Sequence, residues 1–428
     1  MIPILQNDDI DSFIKNLDKR KGDTTSTIRN SVESIVKAVK ERGDQAIFDL
    51  TQKFDKANLS KKGLKVSFDT IQQKVESVDP NLIRIMTKSA DNIRKYHEKG
   101  KKSSWTYEDN GAILGQRVTP LERVGIYSPG GRAVYPSSLL MAAIPALVAG
   151  VKEVVVVSPP DKDGHLHPSV LAAASVAGVT EIYRVGGAQA VAALAFGTET
   201  IRPVDKIVGP GNIYVAEAKR QVYGIVDIDM IAGPSEVVIL ADDKANSDYV
   251  ASDLLAQAEH DPYASSVCVT TSLDLAEAIK KAVVKQVKTL SRKEIIKTSL
   301  NDWGAILVAR DMKNCLKIVN ILAAEHLGLH VENPWKMVEK IQNAGAIFLG
   351  DFAPETVGDY WAGPNHVLPT NQTARFASPL GTDDFQKVSS IIQFSKEALE
   401  RDAEAIMIFA KTEGLDGHAN AVQQRLLK

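Results

Sequence analysis

Short apolar runs and Ala-rich amphipathic stretches alternate along this chain between residues 123 and 349. The runs are rich in β-branched residues, which is typical of buried strands, whereas the stretches between them have the length and spacing of helices. Strands separated by such helices indicate parallel βαβ units. The predicted strands form two series, residues 124–127, 153–157, 181–185 and 206–208, followed by 236–240, 265–270, 304–309 and 345–349.

The same periodicity places helices between these strands and at both ends of the chain. Residues 1–110 have a mostly helical pattern, and residues 359–383 form a long irregular segment, which in a compact domain is usually functional. We therefore expect two α/β units packed face to face, with helical ends. The predicted helices are 137–149, 167–177, 188–196, 248–260, 273–285, 312–326, 395–412 and a last short one holding His418 and Arg425.

Composition narrows the class of protein. The 428 residues are 44% hydrophobic and carry a net charge of −2, and no basic block marks a nucleic-acid contact. The N-terminus lacks the features of a secretory signal, and residues 139–148 are too short an apolar stretch to span a bilayer. We expect a cytoplasmic protein that contacts neither nucleic acid nor membrane. Cys268 and Cys315 lie in apolar segments without metal-site spacing and are interpreted as core residues.

Residues 253–262 carry the first candidate chemistry. Ser247 is a plausible N-cap of helix 248–260, and Pro262 ends that helix. Gln257 and His260 are then three residues apart on its last turn, where the helix dipole favours a cation. By itself the stretch favours a simpler interpretation, a surface histidine beside a charged helix end. Other side chains could complete a set of N and O ligands suited to zinc or a similar ion, namely His326, Asp359, His366 and His418.

Two further patterns are ambiguous when taken alone. Glu325 and His326 are an adjacent acid and base at a predicted helix end, where either could act as a general base, but simple solvation is the plainer interpretation. The turns 128–131 and 209–212 are Gly- and Pro-rich, yet no G-x-G-x-x-G follows a strand, so spacing alone does not predict a dinucleotide site. Four histidines in polar contexts receive no role, namely His97, His165, His167 and His330.

Several sequence motifs of this chain, in their residues and in their order, resemble those of the histidinol dehydrogenase family. These blocks cover about residues 120–420, too much of the chain for chance similarity. They are Tyr127-Ser-Pro-Gly-Gly-Arg132, Gly186-Gly-Ala-Gln189, Val204-Asp-Lys-Ile-Val-Gly-Pro-Gly-Asn212, Asp229-Met-Ile-Ala-Gly-Pro-Ser235-Glu236, Leu254-Leu-Ala-Gln257-Ala-Glu-His260, Glu325-His326, Gly358-Asp359-Tyr360, Gly363-Pro-Asn-His366-Val-Leu-Pro-Thr370 and Glu413-Gly-Leu-Asp-Gly-His418.

The resemblance implies an activity and an architecture. The activity is the oxidation of L-histidinol to L-histidine through bound L-histidinal, with two NAD reduced and one Zn²⁺ per subunit. The fold is α/β, with two incomplete Rossmann-like domains built on parallel sheets, plus small N-terminal and C-terminal helical pieces. The enzyme is a homodimer with shared active sites. The implied domains are an N-terminal arm (1–25), an α/β domain with the metal and catalytic residues (26–125 and 237–378), a second Rossmann-like domain (126–236) and a tail reaching the partner subunit (379–428).

Residue roles follow from the same matches. Glu325 and His326 match the catalytic bases. The implied metal ligands are Gln257, His260, Asp359 and His418. These four and His326 would also contact the substrate, together with Ser235, His366 and Glu413. The implied cofactor contacts are Tyr127, Gln189 and Asn212.

Other functions remain open at this point. A relative could oxidise a different alcohol, a zinc hydrolase could use Glu325 as the base for a metal-bound water, or the metal cluster could be structural. A covalent thiohemiacetal is disfavoured, because Cys268 and Cys315 lie away from every matched block. Water is therefore the expected nucleophile in aldehyde oxidation.

Overall fold

The computed structural model describes residues 2–17, 20, 25–130 and 134–427. It contains two parallel β-sheets, each with helices on both faces, and one antiparallel sheet. The predicted α/β fold class is confirmed. Gly131 and Arg132 of the first family block lie outside the described residues, as do parts of the expected N-terminal arm. Across the described ranges, no helix has the length and apolar character needed to cross a membrane.

One parallel sheet, called here the β4 sheet, has the strand order β6-β5-β4-β7-β8. Alternate residues of its strands enter two different apolar cores, one on each face, as the period of a strand requires. The predicted strands and helices of this region are confirmed. The strands are β4 (Arg123–Tyr127), β5 (Glu153–Ser158), β6 (Glu181–Arg184), β7 (Lys206–Val208) and β8 (Asp227–Ile228), and the helices are α5 (Pro136–Ala149), α6 (Pro168–Ala177), α7 (Gly187–Phe196) and α8 (Ile213–Val222).

The other parallel sheet, called the β9 sheet, has the order β1-β11-β10-β9-β12-β13. Cys268 and Cys315 are free thiols buried in its two cores, as predicted. Its strands are β1 (Ile4–Gln6), β9 (Glu236–Ala241), β10 (Ser265–Thr270), β11 (Ala305–Val308), β12 (His326–His330) and β13 (Ala346–Leu349). Its helices are α1 (Asp8–Leu17), α9 (Ser247–Ala258), α10 (Leu273–Gln286), α11 (Lys293–Trp303), α12 (Met312–Leu322) and α13 (Pro334–Val338).

Two predicted helices end earlier than expected. The helix predicted over 312–326 ends at Leu322, because Ala323 adopts a left-handed conformation with φ +45° and His326–His330 form a buried strand between β9 and β13. Glu325 and His326 therefore stand at the start of a strand and not at a helix end. The helix predicted over 248–260 ends at Ala258, and its N-cap is Asn246 in place of Ser247.

The N-terminal helices pack on the β4 sheet. Helix α2 buries its apolar residues against α7 and α8, α3 packs on α6, and α4 packs on α5 and α6. The expected domain that groups residues 26–125 with 237–378 stays a prediction. The apolar faces of these N-terminal helices are covered by helices that flank the β4 sheet. Their bounds are α2 (Ser26–Phe54), α3 (Phe68–Glu76) and α4 (Pro80–Gly100).

The C-terminal tail is not purely helical. Its strand β14 pairs antiparallel with β3, which also pairs with β2. The tail is thereby attached to a hairpin that follows α4, a long-range pairing that local sequence does not reveal. The expected irregular segment is confirmed beyond Tyr360 and holds only short 3₁₀ turns. The elements are β2 (Trp105–Asp109), β3 (Ala112–Pro120), β14 (Gln386–Phe394), α14 (Glu355–Tyr360), α15 (Lys396–Thr412) and α16 (Asp416–Leu426).

Both parallel sheets reverse their strand order between two neighbouring strands, β4 and β7 in one and β9 and β12 in the other. In open α/β sheets, ligands bind in the crevice beyond the carboxyl ends of the strands at such a reversal. The carboxyl ends of β4 and β7 face the amino ends of β9 and β12 across one cleft, because residues that follow β7 and residues that begin β12 line it together. The cleft at the carboxyl ends of β4 and β7 is therefore the position where this fold is expected to bind a ligand.

Helix α4 contains a buried histidine, His97, whose Nε2 has no hydrogen-bond partner in the described structure. Burial lowers the pKa of His97 from 6.5 to about 4. Between these two values the unfolded chain binds a proton that the folded chain does not. Stability should therefore be full above pH 6.5 and fall as the pH drops toward 4, by about 1.4 kcal/mol per pH unit for this group.

We expect His97→Gln to reduce this pH dependence by close to one proton. The measurement is urea unfolding between pH 4.5 and 7.5 with a chelator present, so that no bound cation contributes. The wild-type protein, measured in parallel, provides the reference slope. An unaltered slope in the His97 variant would contradict the assignment.

Candidate active site

A cleft of about 220 Å³ lies between the two parallel sheets. The β4 side contributes Ser137 and Ser138 at the start of α5, and Gly209 and Pro210 after β7. Gly209 has φ +113°, and a Cβ there would lie 2.3 Å from the Tyr127 carbonyl oxygen, so only glycine fits this turn. The β9 side supplies most of the ionisable groups of the cleft. Its lining side chains include Ser235, His260, Glu325, His326, Asp359, Tyr360 and His366.

Glu325 and His326 are both held by the peptide groups of a single residue, Glu236. The Glu236 N–H donates to Glu325 Oε2 at 2.9 Å, and the Glu236 carbonyl oxygen lies 3.1 Å from His326 Nδ1. This contact requires the proton on Nδ1, which leaves the Nε2 lone pair free. Nε2 is buried, has no hydrogen-bond partner among the described residues and lies 3.8 Å from Asp359 Oδ1. The arrangement presents an imidazole base to the cleft.

Burial sets the ionisation of this pair. It lowers the pKa of His326 to about 4, with His260 and His366 nearby acting in the same direction. The imidazole is therefore neutral at pH 7 and able to accept a proton. Burial raises the pKa of Glu325 well above its usual range, and the neighbouring carboxylates of Glu236 and Asp359 raise it further. Perturbed groups of both kinds in one cleft are typical of an active site.

Helix α14 and the irregular segment bring Asp359 and His366 to the same place. His366 Nδ1 lies 3.0 Å from the Asp359 carbonyl oxygen, and His366 Nε2 lies 3.0 Å from Ser138 Oγ. The irregular segment is thereby joined to α5 of the opposite sheet. Burial raises the pKa of Asp359 to about 6 and lowers that of His366 to about 4. A cation close to Asp359 would favour its ionised form.

Gln257 lies in the last turn of α9, and His260 follows this helix and lines the cleft. The Gln257 side chain is buried, and neither its Oε1 nor its Nε2 has a hydrogen-bond partner in the described structure. A buried amide without partners is costly unless a ligand satisfies it. His260 lies two residues beyond the helix with an exposed side chain that lines the cleft, and desolvation by the surrounding protein lowers its pKa. The chemistry of these donors, with Asp359, fits a borderline divalent cation.

The structure does not bring every predicted residue to the cleft. His418, on α16, and Glu413, which follows α15, are exposed in the tail and do not line it. No group of three or more His, Cys, Asp or Glu side chains arranged for a metal ion occurs among the described residues. Of the predicted ligands, His260 and Asp359 line the cleft, and Gln257 lies three residues before His260 in the last turn of α9.

The predicted cofactor residues cluster at the carboxyl edge of the β4 sheet. Tyr127 ends β4, and its buried hydroxyl accepts from the Gly187 N–H at 3.1 Å. Gln189 is buried in the first turn of α7. The exposed Asn212 is the N-cap of α8. Its Oδ1 accepts hydrogen bonds from the backbone N–H groups of Tyr214 and Val215. Tyr127 and Asn212 thus shape the turns of this edge through contacts to the backbone.

Sequence reasoning missed several buried groups of the site. Glu355 is buried, its Oε2 lies 4.0 Å from His326 Nδ1, and burial raises its pKa well above the usual range. Its i,i+4 spacing to Asp359 could have signalled that both side chains lie on the same face of α14. Lys219 and Asp229 form a buried ion pair whose carboxylate accepts from the Gly209 N–H at 2.8 Å. Lys219 and Asp229 both line the β4 side of the cleft.

Two histidines assigned to surface-like contexts are buried. His330, at the end of β12, lies with Nε2 3.1 Å from Asp253 Oδ2 and Nδ1 3.3 Å from Asp351 Oδ1. The expectation failed for His330 because all five residues of β12 are buried and this strand lies between β9 and β13. His97 is covered by the packing of α4.

Comparison with known proteins agrees with the fold. The sequence model of the histidinol dehydrogenase family matches residues 18–426. Histidinol dehydrogenase of Bacillus subtilis (strain 168) is 53% identical over 402 residues, 94% of each chain, and that of Clostridium acetobutylicum is 47% identical over 428 residues, 99% of each chain. The crystal structure of histidinol dehydrogenase from Elizabethkingia anophelis superposes with a TM-score of 0.95 at 37% identity, covering 99% of this chain and 98% of that one.

Two parallel sheets that enclose a cleft with a neutral imidazole base and buried carboxyls define an enzyme, and these similarities define its class as a dehydrogenase. The chain belongs to the histidinol dehydrogenase family.

Proposed function

We propose that this enzyme oxidises L-histidinol to L-histidine through bound L-histidinal, with two NAD reduced, as the last steps of histidine biosynthesis. The observation that carries the proposal is the geometry of Glu325 and His326 at the cleft: both side chains are held by the peptide groups of Glu236, and burial shifts their pKa values in opposite directions. Two oxidations of one bound substrate require a base for a hydroxyl proton and a means of adding water. The pair offers both.

His326 is suited to the alcohol oxidation. With its Nδ1 proton donated to the Glu236 carbonyl oxygen, Nε2 can accept the hydroxyl proton of the substrate, and a bound nicotinamide would supply the acceptor for the hydride that leaves the carbon bearing this hydroxyl. The lowered pKa keeps the imidazole in the accepting form at neutral pH. In aldehyde oxidation, the hydrated aldehyde again presents a hydroxyl proton, and His326 accepts it in the same way.

Glu325 is suited to the hydration between these steps. An aldehyde must add water before a second hydride can leave, and a carboxylate at the cleft can accept a proton from that water. The Ser235 hydroxyl and the Glu236 N–H both hydrogen-bond the carboxylate and favour its ionised form against the effect of burial. The two free cysteines lie in apolar cores away from the cleft, so a thiohemiacetal has no candidate nucleophile there.

Zinc would be held by Gln257, His260 and Asp359 of one chain, with His418 as a fourth ligand. When bound, zinc supplies a template for the amine and imidazole nitrogens of the substrate. The partnerless amide of Gln257 and the chemistry of the other donors support this assignment. Ser235 and His366 line the same cleft and would contact the substrate, as would Glu413 from the tail.

NAD would bind where the β4 sheet reverses its strand order, next to Tyr127, Gln189 and Asn212. This edge carries the turn at Gly209 and the start of α8, and it opens to the cleft that contains His326. Backbone turns of this kind allow a cofactor to approach closely without the G-x-G-x-x-G pattern.

The functional unit would be a homodimer in which each tail completes the partner's site. Within one chain, α15 and α16 pack on each other, Arg401 of α15 donates to the Asn110 carbonyl oxygen in the β2–β3 turn, and His418 and Glu413 are exposed. The tail and hairpin also expose a large set of apolar side chains, which typically marks an interface. The set is Trp105, Tyr107, Val388, Ile392, Phe394, Ile406, Ile408, Phe409 and Leu415.

The proposed activity is tested by mixing the purified protein with L-histidinol and NAD and recording the absorbance of the reduced cofactor. Two equivalents of reduced NAD per histidinol consumed are expected. One equivalent with accumulating aldehyde would limit the enzyme to a single oxidation, and no reduced cofactor at all would refute the proposal.

The zinc assignment predicts that His260→Ala loses both the metal and activity while the fold is kept, because one of four ligands is removed. Metal content by mass spectrometry and circular dichroism measure the two effects. His167→Ala removes an exposed histidine and should keep both metal and turnover. One tightly held zinc per chain with normal turnover in folded His260→Ala would show that the site lies elsewhere.

The division of roles predicts unequal effects on the two half-reactions. Glu325→Gln should slow histidinal oxidation by about 10²- to 10⁴-fold and histidinol oxidation much less, because only the aldehyde needs hydration. His326→Asn should slow both. Steady-state rates with histidinol and with histidinal as separate substrates provide the measurement, and equal losses for Glu325→Gln would refute this division.

The shared-site hypothesis predicts complementation between two inactive variants. If tails cross over, a mixed dimer of His260→Ala and His418→Ala has one site with both lesions and one site with neither. Co-refolding should then restore about half of the wild-type activity per mixed dimer. If each tail instead serves its own chain, every site keeps a lesion, and mixed dimers shown to have formed would remain inactive.

A further inference from the structure

The N-terminal segment reaches the residue that holds both bases. Arg20, which follows α1, forms an ion pair with Glu236, with 3.1 Å between Nη1 and Oε1. Both side chains are buried, at 2% and 10% exposure. Glu236 is the residue whose N–H binds Glu325 and whose carbonyl oxygen binds His326. A residue about 300 positions away in sequence is thus two contacts from the bases.

Arg20 also binds the backbone that leads into β9. Its Nε donates to the Tyr263 carbonyl oxygen at 2.9 Å, and its Nη2 lies 3.4 Å from the carbonyl oxygen of Pro234 and 3.3 Å from that of Ser235. The planar guanidinium can serve these acceptors and the Glu236 carboxylate together, because its donors have a fixed geometry. The start of β9 is therefore fixed at three successive residues.

A tight turn of the irregular segment lies next to the same carboxylate. The backbone of Gln372 hydrogen-bonds the Glu236 carboxyl group. Asn371 and Gln372 adopt left-handed conformations with φ +53° and +63°, which are uncommon for residues other than glycine. The surrounding contacts hold this costly backbone in place. Arg20 and Glu236, together with these two residues, line a small cavity of about 20 Å³ that is distinct from the main cleft.

We propose that Arg20 is a positioning residue for the acid–base pair: through Glu236 it fixes the peptide groups that orient Glu325 and His326. The inference rests on the proposed function. Arg20 and Glu236 do not line the cleft themselves, so Arg20 acts on catalysis without touching the substrate. The N-terminal segment is therefore part of the catalytic apparatus and does more than add an edge strand to the β9 sheet.

The physical reason is the burial of the Glu236 carboxylate. Without Arg20 this charge lies in the interior unpaired, which is strongly unfavourable, so the carboxylate must take up a proton or admit water. Either change alters the start of β9. Both bases depend on the peptide groups of residue 236, and they would move together. A displacement of about 1 Å near reacting atoms can lower a rate by about 10²-fold.

The test compares Arg20→Met and Arg20→Lys with the wild-type dimer in the presence of zinc and NAD. For Arg20→Met we expect kcat to fall by about 10- to 100-fold in both half-reactions, with KM for histidinol and metal content changed by less than about 3-fold. The kcat of Arg20→Lys should lie between those of Arg20→Met and the wild type. One ammonium group can pair with Glu236, but it cannot also donate to the three carbonyl groups that Arg20 contacts.

Arg123→Met provides a matched control. Arg123 is equally buried, at 6% exposure, and pairs with Glu153 and Glu181 at the opposite, amino-terminal end of the β4 sheet. Its loss should lower the melting temperature without lowering kcat per folded site. If kcat falls as much in Arg123→Met as in Arg20→Met, both arginines have a general structural role, and the proposal for Arg20 is wrong.

Two outcomes overturn the proposal while leaving the proposed function intact. One is a folded Arg20→Met enzyme with wild-type kcat, and the other is a loss confined to KM. If Arg20→Met does not fold, Arg20→Lys decides, and kcat within about twofold of wild type would refute the role. A wild-type enzyme that fails to reduce NAD with histidinol would count against the proposed function instead, so the two failures are distinguishable.

Discussion

The adjacency of β9 and β12 is the constraint on which the site depends. In their parallel register His326 lies opposite Val237, which places Glu325 and His326 beside the peptide groups of Glu236. Backbone groups buried at a sheet end cannot reach water and must find partners in the protein. The N–H and carbonyl groups of Glu236 are paired with the side chains of Glu325 and His326. The hydrogen-bonding need of the strand and the orientation of the bases are therefore met by the same contacts, and the bases are as ordered as the sheet.

The crowding of carboxyl groups around this contact determines the electrostatics. Glu236, Glu325 and Glu355 are all buried, and burial raises the pKa of each. Arg20 supplies a positive charge to this group, while His326 is kept neutral. An interior rich in carboxyls with one guanidinium favours the arrival of further positive charge. The partnerless amide of Gln257 is consistent with the same preference for a cation.

Local pattern predicted the two parallel sheets well, because each strand and helix there buries a continuous apolar run. It failed where long-range pairing decides the structure. The predicted helix 312–326 included His326 and no element was predicted for residues 327–330, although His-Leu-Gly-Leu-His alternates with the period of a strand. The strand β14 depends on pairing with β3, far away in sequence. The ion pair of Arg20 with Glu236 joins residues 216 positions apart, a tertiary contact that no local spacing encodes.

The pairing of β1 has a consequence for synthesis. Ile4 pairs with Ile306, so the first strand made has no partner in the β9 sheet until about 300 further residues have been added. Domains generally fold as units, and N-terminal ones fold first during translation. The β4 sheet and helices α2, α3 and α4 are complete within the first 230 or so residues and can close early. The segment carrying β1 and Arg20 must remain free until the β9 sheet forms, so a growing chain has no assembled active site.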